Sequence, residues 1–168
     1  MPFCILKGKR YVFMKLKKWL LGLVTFAAMV VLCAVCAGAE TYDYGDFKYS
    51  MLYDGTVVIT GYNGSAEKVD IPEMIDGKSV TSIGRRAFED CISLTSIMIP
   101  DSVTDIYGGA FSGCTSLTAI NVVTGNQNYV SVNGVLYNKD KTAIICYPAG
   151  KKDKNFKIPD GVTSIGNY

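Results

Sequence analysis

The residues of this chain that could do chemistry are few, and their spacing says more than their number. No histidine occurs, so Ser-His-Asp and Cys-His catalysis lack their base and most zinc sites lack their imidazole. Gly61-Tyr62-Asn63-Gly64 is not followed by the Lys-Ser/Thr of a phosphate-binding loop. Asp43, Asp46 and Asp54 have neither the alternating spacing nor the closing Glu of a calcium loop. Any two acids could converge for paired-carboxylate hydrolysis, but Glu89-Asp90, Asp101, Asp105 and Asp160 fall where turns are expected and acids are ordinary there, so turn roles are favoured. Asn63-Gly64-Ser65 is a glycosylation triplet, which matters only in a host that glycosylates exported chains. The reading is a chain that is not an enzyme, with no catalytic residue, no cofactor and no metal ligand set. That leaves the cysteines, of which Cys91 and Cys114 stand 23 residues apart.

The elements that would position these residues begin only after an export leader, expected at 1–39. Lys15, Lys17 and Lys18 precede the uncharged run Trp19 to Cys36, and Ala37-Gly38-Ala39 is a small-x-small cleavage pattern. Met14 already opens a complete leader, so Met1 to Phe13 reads as an unused upstream start. An uncleaved membrane anchor is the alternative, since the apolar run just reaches a bilayer's width; the small residues at its end favour cleavage after Ala39. Cys33 and Cys36 follow Leu32 and Val35, not the small residue that a lipoprotein requires. Six basic residues lie in the leader, so from Glu40 onward 11 bases face 15 acids and the +2 of the whole chain becomes −4. Such a body offers no electrostatic footprint for nucleic acid, and membrane contact is expected only through the leader or anchor. Cys91, Cys114 and Cys146 remain, an odd number that argues against a disulfide framework.

The 23-residue offset extends well beyond the cysteines. Val80 to Pro100 (VTSIGRRAFEDCISLTSIMIP) aligns without a gap on Val103 to Val123 (VTDIYGGAFSGCTSLTAINVV). Ile158 to Tyr168 starts the unit again, and Ile71 to Gly84 is an earlier version with five extra residues in its turn. Leu94-x-x-Ile97-x-Ile99 and its counterpart Leu117-x-x-Ile120-x-Val122 alternate like strands with one buried face. Val-Thr-Ser-Ile is a second short extended piece, and Ala-Phe-x-x-Cys suits one helical turn. Each unit is then one closed coil. A single coil cannot bury its own apolar side chains, so stability must come from stacking. Cys91 and Cys114 occupy one repeat position beside the turn, where a ladder of buried thiols is favoured over a disulfide or a reactive thiol.

This pattern resembles the BspA-like, or treponemal-type, leucine-rich repeats, whose unit is like IP-x-x-VTSIG-x-x-AF-x-x-C-x-SLTSI-x-IP. The resemblance implies an exported, surface-displayed protein associated with adhesion to host proteins or other cells. The expected fold is a β-rich α/β solenoid with short strands and one-turn helices over 40–168. Residues 47–70 are read as an N-terminal β-hairpin cap turning at Asp54-Gly55, with the capping role favoured over a ligand site. Residues 71–123 make two regular repeats, 124–157 a hairpin insertion or long repeat, and 158–168 the start of a further one. Within 124–157, Val135 to Tyr137 and Thr142 to Cys146 pair across a polar turn. Lys151 to Lys154 reads as a solvated turn, and Phe156-Lys157-Ile158 as the next coil's strand. The sequence stops inside a repeat. If the protein ends there, Val162 and Ile165 form an exposed apolar end and association rises with concentration.

Outward positions of the strands make the candidate binding face: Lys68, Asp70, Ser96, Met98, Ala119, Asn121 and Lys157. These residues are small and mixed, which suits protein or glycan ligands at a cell surface more than a small-molecule pocket. The alternative is a non-catalytic spacer or accessory domain of a larger exported protein such as a hydrolase, truncated here; an exported enzyme, the third reading, would require an additional domain.

Overall fold

In a computed structural model, residues 40–153 and 155–166 are described; the expected leader and the question of its cleavage lie outside them. The described strands are β1 (Tyr42–Tyr44), β2 (Phe47–Met51), β3 (Val57–Tyr62), β4 (Lys68–Asp70), β5 (Met74–Ile75), β6 (Lys78–Ile83), β7 (Ser96–Ile99), β8 (Asp105–Ile106), β9 (Ala119–Val122), β10 (Tyr129–Val132), β11 (Val135–Asn138), β12 (Ala143–Cys146) and β13 (Ser164–Ile165). They wind as a β-solenoid. One side stacks β3, β6 and β8 in parallel, and another stacks β4, β7 and β9 in parallel. Strands β1 to β3 form an antiparallel meander at one end, and β10 to β12 another beyond β9, with β13 parallel to β12.

The columns follow from the offset. Val57, Val80 and Val103 lie at equivalent, fully buried positions, as do the pairs Leu94 and Leu117, and Ile97 and Ile120. Phe88 stacks on Phe111 with ring centroids 5.7 Å apart and planes 24° apart, and Tyr62 and Phe47 extend the aromatic column beyond Phe88. The threonines of Val-Thr-Ser-Ile and Leu-Thr-Ser-Ile supply the polar counterpart. Thr104 donates through Oγ1 to the Thr81 carbonyl, Thr118 to that of Thr95, and Thr163 to that of Thr142. Each hydroxyl therefore bonds to the threonine one coil earlier, so coils are joined by side chains as well as by strand pairing.

The five extra residues near Asp76-Gly77 close a small hairpin between β5 and β6, with both turn residues at positive φ (50° and 73°). That backbone fits the right-handed twist of the two strands.

The helical expectation is corrected. No helix occurs among the described residues, so the α/β label and the one-turn helices do not hold. Ala87 to Cys91 instead forms successive tight turns, in which Ala87, Glu89 and Cys91 each donate to the carbonyl three residues back. Arg86 (φ 60°) and Asp90 (φ 57°), like Gly109 (φ 72°) and Gly113 (φ 74°) one coil on, are left-handed. One such residue every four ends any right-handed helical run. The amides of Phe88 and Asp90 then turn sideways and donate to the Ala110 and Ser112 carbonyls, both at 2.8 Å. Ala-Phe-x-x-Cys was legible as a corner. Alternate backbone amides, however, bond to the next coil, so no continuous helical ladder runs along its own axis.

Candidate recognition face

The parallel sheet β4–β7–β9 sets the site. Its register pairs Lys68 with Ser96 and Ser96 with Ala119, and likewise Asp70 with Met98 and Met98 with Asn121. Val69, Ile97 and Ile120 lie between the two rows and point into the core, so strand alternation turns all six neighbours outward. Lys68 and Asp70 are exposed, while Ser96, Met98, Ala119 and Asn121 are half-buried by their neighbours along the rows. Asn121 Nδ2 donates to Ser96 Oγ at 3.1 Å, tying β9 to β7 across the face.

Lys157 lies apart from these six. It sits in no strand, is exposed, and among the described residues its one ion pair is a long contact (4.0 Å) with Asp160. The expected strand at 156–158 does not form, because the β10–β11 hairpin occupies the edge of β9 instead. Ile120 donates to the Gly134 carbonyl at 2.9 Å, and Ser131 Oγ donates to the Ile120 carbonyl at 2.7 Å. Gly134 (φ 80°) comes so close that a Cβ there would stand 3.1 Å from the Cα and Cβ of Ala119. Ala119 is thus a contact for the hairpin turn, and the open face stops at β9.

The thiols form a column longer than the repeat alignment indicates. Cys91, Cys114 and Cys146 are all free, with Cys91 half-buried and the other two buried. Burial pushes the Cys114 thiol up to about 12, with Cys91 beside it adding to the shift. Burial does the same for Cys146, also to about 12, with Cys114 as its neighbour. Cys114 Sγ lies 2.9 Å from the Phe88 carbonyl, to which it donates. These thiols are protonated filling, since reactivity belongs to the thiolate. No group of three or more Cys, Asp or Glu that could hold a metal occurs among the described residues.

Two residues essential to the end of the regular coils were not singled out from the sequence. Asn126 stands 23 residues after Val103, so a polar residue occupies the valine position. It is buried and donates from Nδ2 to the carbonyls of Pro100 (2.9 Å) and Val103 (3.0 Å). Its Oδ1 accepts from the amides of Asn128 and Tyr129, both at 2.8 Å. Tyr129 stands 23 residues after Ile106, and its hydroxyl accepts from the Ile106 amide at 3.1 Å. Continuing the offset past Val123 would have found both.

These columns and this register have a counterpart among known repeats: residues 62–148 match six copies of the BspA type leucine rich repeat region. The chain belongs to that family. A leucine rich cell surface protein from Faecalibacterium prausnitzii is 31% identical over 54% of this chain and 25% of its own, with a TM-score of 0.50. A leucine-rich repeat protein from Bacteroides ovatus is 24% identical over 74% of this chain and 31% of its own, also at 0.50. The T. pallidum leucine rich repeat protein is 34% identical over 51% of this chain and 41% of its own, at 0.47. This chain therefore spans a quarter to two-fifths of the length of these three proteins. No curated protein matches it.

Proposed function

We propose that this chain is an exported, non-catalytic recognition module that binds proteins or glycans at a cell surface through the β4–β7–β9 face. The observation that carries the reading is the register. It converts six scattered residues into two continuous outward rows on a rigid frame, while the inward residues are committed to stacking. The Lys15 to Ala39 pattern supports export, and the F. prausnitzii protein, a cell surface protein by description, supports display. A spacer or accessory role within a larger exported protein is the second reading, drawn from the greater length of the similar chains.

The test is capture of the full chain on immobilised extracellular-matrix proteins and polysaccharides, beside the Met98→Arg variant. Met98 is half-buried at the centre of the face, so arginine there adds bulk and charge without entering the core. We expect captured signal to fall at least about fivefold, since a central contact carries more than about 1 kcal/mol. Equal capture by both proteins, with the variant still folded, refutes the face as the binding surface.

A further inference from the structure

Beside the first strand of this face lies a cleft of about 260 Å³ whose lining includes Tyr44, Asp46, Phe47, Tyr62, Lys68 and Asp70. The Tyr44-Gly45-Asp46 turn joins β1 to β2, with Gly45 at positive φ (57°). The Asp46 carbonyl accepts from the Asn63 amide at 2.8 Å, which holds the turn against the chain leading to β4. Gly64 makes room for the polar heads. A Cβ there would lie 2.3 Å from Tyr62 Oη and 2.6 Å from Asp46 Oδ2. Phenol and carboxylate therefore converge over a residue that has no side chain. The Tyr62 ring is fixed between Phe47 (5.2 Å) and Phe88 (5.5 Å). Tyr44 is 44% exposed, and Lys68 and Asp70 are exposed and form no ion pair among the described residues.

The charges discriminate between ligand classes. An anion placed in the cleft would meet Asp46 and Asp70, and a cation, although the two carboxylates outnumber the one ammonium, would have to share the space with Lys68. A neutral polyol has no such conflict, because each hydroxyl both donates and accepts. It can donate to the two carboxylates while accepting from the ammonium and the phenol, and bonds to charged groups are the stronger ones. The exposed Tyr44 ring offers a plane for an apolar C–H face. The cleft is smaller than the usual drug-sized pocket but wide open along the sheet, so it suits one unit of a longer chain.

We propose that this cleft is a saccharide subsite that takes a neutral hexose unit of a polysaccharide running on across the β4–β7–β9 face. The assignment rests on the face reading through Lys68 and Asp70 and adds Tyr44, Asp46 and Tyr62 to it. Maltohexaose and cellohexaose are the neutral probes, with an oligogalacturonate and a chitosan oligomer as anionic and cationic controls, each titrated into the full chain by calorimetry. At least one neutral hexaose is expected to bind more tightly than both charged oligomers. Tyr44→Ala and Asp46→Asn, both at an exposed turn, should each weaken it about tenfold without moving the melting temperature. Gly64→Ala should weaken it as well by displacing Tyr62 and Asp46, and because Tyr62 packs between Phe47 and Phe88 it should also lower the melting temperature. Tighter binding of a charged oligomer, absence of binding by both hexaoses, or full binding by Tyr44→Ala and Asp46→Asn overturns the subsite. If Met98→Arg loses macromolecular capture while the cleft variants keep it, the face stands and the sugar site falls. If the cleft variants alone lose hexaose binding, the subsite stands without the face.

Discussion

Replacing Asn126 should reveal how the regular coils are closed. The residue is 1% exposed, and its amide makes four hydrogen bonds, two donated and two accepted. Asn126→Ala strips a partner from two buried carbonyls and two half-buried amides, although the Pro100 carbonyl keeps the Val103 amide. A buried polar group left unpaired costs about 1–3 kcal/mol. Neighbouring losses do not add fully, because the turn can relax, so the expected total is about 3–4 kcal/mol. That is a large part of the roughly 5–15 kcal/mol that a domain holds in all. Asn126→Asp separates the donors from the acceptors. Its carboxyl still accepts from Asn128 and Tyr129, but when ionised it faces the Pro100 and Val103 carbonyls with a charge and no proton. The Asn128 and Tyr129 amides and the nearby Lys139 ammonium favour the charged form, but burial and the two facing carbonyls oppose it more strongly, so its folded pKa stands above the unfolded value of about 3.9. The stability of this variant relative to the wild type is then greatest below about pH 3.9 and falls as pH rises through the folded pKa. Urea unfolding from pH 3 to 8, followed by far-UV circular dichroism, measures both effects; the single tryptophan, Trp19, precedes the repeats and is a poor probe of them. An alanine variant within about 1 kcal/mol of wild type, or an aspartate variant with no pH-dependent difference, would refute the reasoning.

The left-handed corners give a test of opposite sign. Arg86→Gly removes about 1–2 kcal/mol of backbone strain at an entropic cost of about 0.5–1 kcal/mol, and its exposed ion pair with Glu89 adds little. It should therefore raise the melting temperature by a few degrees, while Gly109→Ala lowers it; a lower midpoint for Arg86→Gly refutes the account. Gly134→Ala combines a φ of 80° with contacts of 3.1 Å to Ala119 and should cost about 1–3 kcal/mol by urea unfolding. Near-wild-type stability there would show that the hairpin does not press on β9. For the thiols, iodoacetamide at pH 8 should modify Cys91 before Cys114 and Cys146, site by site in peptide mass spectra; the reverse order contradicts the burial. Because the two buried thiols titrate near 12, their neutral state favours folding fully below the unfolded value of about 8.5. That contribution is lost as pH rises toward 12, and Cys114→Ala should flatten the alkaline decline.

The stacking was legible because a 23-residue coil leaves apolar side chains only one place to go, above and below their equivalents. Phe88 over Phe111 follows from that spacing alone. The corner was misread because Ala-Phe-Glu-Asp-Cys has helix-compatible residue types. Left-handed φ at a non-glycine such as Arg86 leaves no trace in composition, although Gly109 and Gly113 at the same positions one coil on were the available signal. Lys157 was misplaced for a different reason. Ile158-Pro159 copies Ile99-Pro100, but local resemblance cannot show that Asn133-Gly134, an untaken hairpin signal, folds β10 and β11 onto the edge of β9 first. The outward rows needed only the register and the alternation of strands.

The same constraint that builds the solenoid limits what it can bind. Val, Ile, Leu, Phe, Cys and Thr positions are each tied to the coil before and the coil after, so a change at any of them disturbs two interfaces. Only outward residues can be altered without that cost, and on β4, β7 and β9 there are six, of which Ala119 already abuts the hairpin turn. The hairpin against Ala119 prevents a fourth strand from widening this surface. A standard stable interface needs about 800 Å² from each partner, more than six small and mixed side chains supply. Single-site binding here should therefore be weak. Useful affinity would come from many copies, or from a ligand that repeats, since linked weak contacts gain strength without any new one being made.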